Sequence, residues 1–227
     1  MVKTESDLPE EYQTGRAIFL GCKIDLSMRV LIPRPETEFW TAAAIKDLEN
    51  LKKENLRILD IFSGSGCIGV AAAKKLPSAN VDLSDIDSRA VRQIKINLEI
   101  NDINKNRVNI FKSDIFNDIP AGNSYDAILA NPPYIDPARI GEVQRSVLDY
   151  EPRVALFSGG GGTDTIDKFL KEAKNFLKVR GFIYMEFDKS QANAIKKMVE
   201  AGGYSSAEFF NDQFGELRFV KIIKWKK

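Results

Sequence analysis

The chain has 227 residues, 44% hydrophobic and 29% charged, with a formal charge of +1 from 33 basic and 32 acidic side chains. This is the size and composition of one large α/β domain with a real core, and the near-neutral balance excludes an overall basic field for gripping phosphate backbones. There is no histidine, which excludes Ser-His and Cys-His triads and His-ligated metals within this chain; the two cysteines, Cys22 and Cys67, lack CxxC spacing, so no zinc site or disulfide framework is implied and a reducing cytoplasm fits.

The opening MVKTESDLPEEYQ is acidic and polar, unlike a secretory signal or an Arg-rich transit peptide. No apolar run approaches the ~20 residues that span a bilayer. RAIFLGCKIDLS (16–27) reads as a β-hairpin, and VLIPRPETEFW (30–40) leads into a helix with Trp40, Ala44, Leu48 and Leu51 on one stripe. RILDIF (57–62) predicts a strand, followed by the glycine turn SGSGCIG (63–69) and a small-residue helix, VAAAKKL. NVDLSD (80–85) is a second strand, and the next helix carries Val91, Ile94 and Leu98 on one face. VNIFKSD (108–114) and YDAILA (125–130) are further strands.

An irregular segment over 131–162 ends in SGGGG, and Thr163 is placed to cap a helix carrying Ile166, Phe169, Leu170, Ala173, Phe176 and Leu177. GFIYMEFD (181–188) is a fifth core strand, followed by a helix over 190–201. SAEFFND (206–212) and LRFVKIIKW (217–225) close the chain, joined too tightly for a crossover helix, so at least one runs antiparallel. The alternation predicts a doubly wound, mostly parallel α/β sheet with helices on both faces. Residues 1–36 are expected to form an N-terminal segment with the hairpin and the PRPE loop, and 37–227 the catalytic domain.

Gly64, Gly66 and Gly69 fit G-x-G-x-x-G at a strand-to-helix turn, where backbone N–H groups approach a ligand closely. Asp85 ends the second strand 19 residues after Gly66, where a carboxylate can accept from ribose hydroxyls. Together they predict a nucleoside-containing cofactor, and both a nicotinamide dinucleotide and S-adenosylmethionine suit the pattern. Asp114 either accepts from an adenine amino group or caps a helix. LANPPYIDP (129–137) is either a bare turn or the floor of a pocket. Ligands of open parallel sheets sit beyond the carboxyl ends of the strands. There the Asn131 carbonyl oxygen and the carbonyls of Pro132 and Pro133, which have no N–H, group acceptors with few donors, while Tyr134 adds an aromatic face. Such a floor suits a planar –NH2 group.

With NPPY after strand four and DIFSGSGCIG at strand one, the chain resembles the class I S-adenosylmethionine-dependent N-methyltransferases. VLIPRPETE upstream and YEPRVALFSGGGGT downstream narrow the resemblance to the protein-(glutamine-N5) methyltransferases of peptide chain release factors, the HemK/PrmC family, over about Leu8 to Trp225. The resemblance implies a Rossmann-like fold with a seven-stranded sheet containing one antiparallel strand. It implies S-adenosylmethionine contacts from Phe62, Ser63, Gly64, Ser65, Gly66, Asp85, Ile115 and Asn131. It implies a substrate glutamine amide, in the Gly-Gly-Gln loop of a release factor, held by Asn131, Pro132, Pro133 and Tyr134, with Arg34, Pro35, Glu36 and Glu151 in the pocket walls. Pro35 and Glu36 also read as an ordinary helix start. Two positions depart from the family pattern: Phe62 stands where glycine is usual, which tilts the turn or crowds the cofactor, and Ile115 replaces a residue that is larger in some relatives. Family members usually carry an N-terminal helical domain, so a helper subunit is a possible partner here; membrane and direct nucleic-acid partners are not expected. The other readings are N-methylation of a ribosomal-protein glutamine or a nucleic-acid amine, an NAD-dependent oxidoreductase, and a non-catalytic cofactor-binding subunit.

Overall fold

Apolar, β-branched runs bounded by polar turns build the centre of the molecule, a computed structural model that describes residues 8–224. The last residues of the KIIKWKK tail, Trp225 included, lie outside the described residues. A two-stranded antiparallel hairpin, β1 (Arg16–Phe19) and β2 (Cys22–Asp25), follows a short helix α1 (Glu10–Thr14). The main sheet contains β3 (Arg57–Ile61), β4 (Asn80–Asp85), β5 (Val108–Lys112), β6 (Tyr125–Ala130), β7 (Leu177–Glu186), β8 (Ser206–Asn211) and β9 (Leu217–Ile223). Their order is β5-β4-β3-β6-β7-β9-β8, with β9 antiparallel to both neighbours. The chain winds outward from β3 to β5 and then returns to β6 on the other side of β3. That reversal opens a crevice beyond the carboxyl ends of β3 and β6.

The period-two alternation of the strands feeds two cores. Ile58 faces one, with α2 (Pro35–Asn50), α3 (Cys67–Lys75), α4 (Ser88–Ile100) and the hairpin. Leu59 and Ile61 face the other, with α6 (Asp164–Phe176) and α7 (Ala192–Ala201). Among the described residues no helix is long and apolar enough to cross a membrane.

Several local expectations need correction. Leu51 lies past the end of α2 and is 48% exposed, so the α2 stripe ends at Leu48. The helix after the glycine turn starts at Cys67, because Gly66 at φ +78° ends the turn there. β5 stops at Lys112, short of Asp114. β7 begins at Leu177, which leaves the α6 face to pair with Tyr125. The segment 131–162 is not wholly irregular: it holds α5 (Arg145–Tyr150) and short 3-10 turns at Pro137–Glu142 and Arg153–Ala155. Thr163 precedes α6 without capping it; its hydroxyl donates to Gly160 O, and Ser158 Oγ accepts the Thr165 N–H.

Val91 is only half-buried, and the buried face of α4 includes an amide stripe, Gln93, Asn97 and Asn101. Asn101 accepts from Lys23 N and donates to Lys23 O; Asn97 does the same with Asp25; Gln93 accepts from Met28 N. The stripe acts as a side-chain ladder that satisfies the backbone of β2 and fastens the hairpin to α4.

Candidate active site

The first wall of the crevice is the turn after β3. Phe62 takes φ +61° and Gly64 φ +54°, so the chain reverses immediately past the strand. Phe62 therefore adopts the left-handed backbone that glycine accepts without cost. Its ring packs edge-on against Phe169, centroids 5.7 Å apart. Ser63 is buried, and its hydroxyl bonds Asp60 O and Ser84 O, while Ser65 O accepts from Asn97; these two serines brace the turn. A Cβ on Gly69 would lie 2.5 Å from Leu83, so the third glycine permits α3 to sit against β4.

Asp60 is fully buried in β3. Its Oδ2 accepts the Gly69 N–H at 2.8 Å, while Oδ1 has no partner among the described residues. Burial pushes its carboxyl up to about 8, against the hydrogen bond from Gly69. The signal for it was available: a lone acid inside an apolar strand. Asp85 accepts from Gly64 N through Oδ2 and from Asp87 N through Oδ1, both at 2.8 Å, and burial raises its pKa. Each oxygen keeps a second lone pair. Asp114 does not cap a helix; it pairs with Lys168 at 2.9 Å. The adjacent Ser113 hydroxyl accepts from Asp118 N instead. Ile115 is buried at φ +54°.

Phe62, Gly64, Asp85, Asp114, Ile115 and Asn131 line one cleft. Phe62, Gly64 and Asn131 also line a smaller pocket against Pro33, Arg34 and Thr37. Asn131 thus stands where the two cavities meet. Its Nδ2 donates to Thr37 Oγ1 at 3.3 Å. Among the described residues nothing donates to the carbonyls of Pro132 or Pro133. The Tyr134 hydroxyl donates to Glu186 Oε1 at 3.0 Å; burial and this carboxylate raise its pKa. Gln191 Nε2 donates to Tyr134 O at 2.7 Å. Glu186 and Gln191 were not singled out by sequence, because what they hold is distant in the chain.

Arg34 and Glu151 form an ion pair, and the buried Glu151 also accepts from Ile32 N. Burial raises the Glu151 pKa and Arg34 opposes it. The pair joins the PRPE segment to the loop after α5. Pro35 is exposed and Glu36 half-buried in the first turn of α2. Arg34 and Pro35 border a second, outer groove with Glu10, Glu11 and Arg16.

Residues 41–160 match the Methyltransferase small domain family. The chain is 33% identical to the release factor glutamine methyltransferase of Rhodopirellula baltica, across 95% of this chain and 74% of the relative. It is 34% identical to the release factor glutamine methyltransferase of Lactococcus lactis, across 94% and 77%. The fold is similar to the ribosomal protein L11 methylase of Lactobacillus delbrueckii subsp. bulgaricus, with a TM-score of 0.63, 16% identity and coverage of 89% and 84%.

Proposed function

The chain belongs to the release factor glutamine methyltransferase family, and we propose that it methylates the side-chain amide nitrogen of the glutamine in the Gly-Gly-Gln motif of a peptide chain release factor. Family membership makes it an S-adenosylmethionine-dependent methyltransferase of release factors. The observation that carries the finer reading is the position of Asn131 between the two cavities, with its amide nitrogen taken by Thr37 and the free Pro132 carbonyl beside it.

The main cleft suits the cofactor. It offers the Asp85 carboxylate, a glycine turn, and the buried Ser84 hydroxyl, which has no partner among the described residues. In this reading Phe62–Gly66, Asp85, Asp114 and Ile115 line the cofactor, and the segment before α2, through Leu31 to Arg34, walls the acceptor side. When bound, S-adenosylmethionine supplies a methyl group already activated on a sulfonium.

An amide nitrogen is a poor nucleophile because its lone pair is delocalised. Asn131 Oδ1 and the Pro132 carbonyl accept the two amide hydrogens, which aims the nitrogen and favours the positive charge that develops on it. The Tyr134 ring lies along the amide plane while its hydroxyl stays bound to Glu186. The methylated nitrogen gives its surplus proton to solvent water after the transfer, so no histidine is required in the rate-limiting step. Arg34, Pro35, Glu36 and Glu151 shape the entrance, with Arg34 and Glu151 acting through each other.

The test is mass spectrometry of a bacterial release factor incubated with this chain and S-adenosylmethionine. One added methyl on the Gly-Gly-Gln glutamine is expected. Asn131→Ala should lower that transfer about 100-fold or more while cofactor affinity changes only slightly. A modified residue elsewhere, or unchanged turnover in the variant, overturns the assignment. Activity of the chain alone also decides whether a helper subunit is needed.

A further inference from the structure

Glu186 ends β7 beneath the Asn131–Tyr134 turn and is 2% exposed. Three side chains from two segments, α2 and the Asn131–Tyr134 turn, converge on it. Thr37 Oγ1 donates to Oε2 at 2.6 Å, Trp40 Nε1 donates to the same oxygen at 2.8 Å, and the Tyr134 hydroxyl donates to Oε1 at 3.0 Å. On its other side, Thr37 Oγ1 lies 3.3 Å from Asn131 Nδ2.

Donor chemistry dictates the direction of this chain. An indole N–H can only donate, so Oε2 is an acceptor. A hydroxyl carries one hydrogen, and Thr37 gives it to Oε2 over the shorter distance. Thr37 then has only lone pairs to offer Asn131. Asn131 must meet it with the NH2 end of its side chain, since the reversed amide would set oxygen against oxygen. Oδ1 is left as the end that serves the acceptor site. Trp40 is fully buried and stacked on Tyr184 at an interplanar angle of 8°, so one member of the chain is held by rigid packing.

We propose that Glu186 and Thr37 form a proton-ordered chain that locks Asn131 as an acceptor-only group, and that this ordering makes the site select a glutamine side chain over the near-isosteric glutamate. The inference rests on the amide-methylating reading above. A glutamine amide brings two hydrogens to Asn131 Oδ1 and the Pro132 carbonyl. A glutamate carboxylate brings none and meets two acceptors, so its binding leaves polar groups unpaired. Glu186 and Thr37 are positioning residues, since they act on the substrate through Asn131 and Tyr134.

The test compares the wild-type chain with T37V, T37S, E186Q and E186L. Four quantities are measured: affinity for a Gly-Gly-Gln peptide, affinity for the matching Gly-Gly-Glu peptide, affinity for S-adenosylmethionine, and thermal unfolding. The wild type is expected to prefer the glutamine peptide by about 100-fold or more. T37V keeps the side-chain shape but frees the Asn131 amide to turn; the preference should fall below about tenfold, with cofactor affinity unchanged. T37S restores the hydroxyl and should recover the preference. E186Q retains an acceptor oxygen for Thr37 and Trp40 and should keep most of the preference, whereas E186L should behave as T37V. Should E186L fail to fold, the T37V and T37S pair carries the test alone. A folded T37V with wild-type preference overturns the inference. So does a wild type that methylates the release factor yet binds both peptides equally, and in that case the substrate reading stands. A wild type that binds cofactor but methylates neither release factor nor peptide overturns the substrate reading, and the inference with it.

Discussion

Phe62 and Ile115 both hold left-handed backbone, at φ +61° and +54°, and both line the same cleft. For a bulky and a β-branched residue that conformation costs about 1–2 kcal/mol each. The site thus carries strain that the surrounding packing, such as the Phe62–Phe169 contact, must hold in place. Asp60 is a second residue whose environment is costly. Its folded carboxyl titrates near 8 because of burial, far above the unfolded value of about 3.9. Between those two pH values the folded state keeps a proton that the unfolded state has lost, so this group lowers stability as pH rises. Asp60→Asn keeps the acceptor for Gly69 N and removes the titration. Urea unfolding of both proteins across about pH 4 to 8 should show the variant gaining on the wild type by about 1 kcal/mol per pH unit. Parallel stability curves would contradict the buried neutral acid.

At the scale of elements, the fastening of the hairpin to α4 depends on amides. Asn97 is fully buried and bonds Asp25 N, Asp25 O and Ser65 O at once. Its oxygen and nitrogen therefore brace both the hairpin and the glycine turn. Asn97→Ala leaves those backbone groups unpaired and should lower stability by about 2–4 kcal/mol, read from the urea midpoint. A loss below about 1 kcal/mol would show that water replaces the amide there. Apolar spacing revealed part of the inward face of α4 through Ile94 and Leu98. It did not reveal Gln93, Asn97 and Asn101, because buried amides look like solvent-facing ones until their backbone partners are placed opposite.

Across the whole molecule, positions distant in sequence meet behind the Asn131–Tyr134 turn. Gly162 sits at φ +83°, and a Cβ there would lie 2.1 Å from Tyr134 O and 2.4 Å from Gln191 Nε2. The glycine run thus lets the loop press on the Asn131–Tyr134 turn from behind. Gly162→Ala must displace that turn or break the Gln191 bond to Tyr134 O. It should reduce methyl transfer about 100-fold while cofactor affinity stays near wild type. The two effects are separable by steady-state kinetics and calorimetry, and full turnover in the variant would show that the loop can retreat. The Arg34–Glu151 pair likewise joins residues 117 positions apart.

Much of the architecture follows from the chain's local pattern. Strand and helix periods, the glycine turn and the NPPY stop each involve neighbours only a few residues apart, and the parallel α/β order with one antiparallel strand comes from their succession and spacing. Site geometry is different. Thr37, Asn131, Tyr134, Glu186 and Gln191 become one hydrogen-bonded assembly through contacts spanning up to 149 residues of separation. The direction of a hydrogen bond and the clash that Gly162 avoids depend on which groups face each other across the folded crevice. No periodicity encodes that pairing, because it exists only once the sheet has brought the carboxyl ends of β3, β6 and β7 side by side.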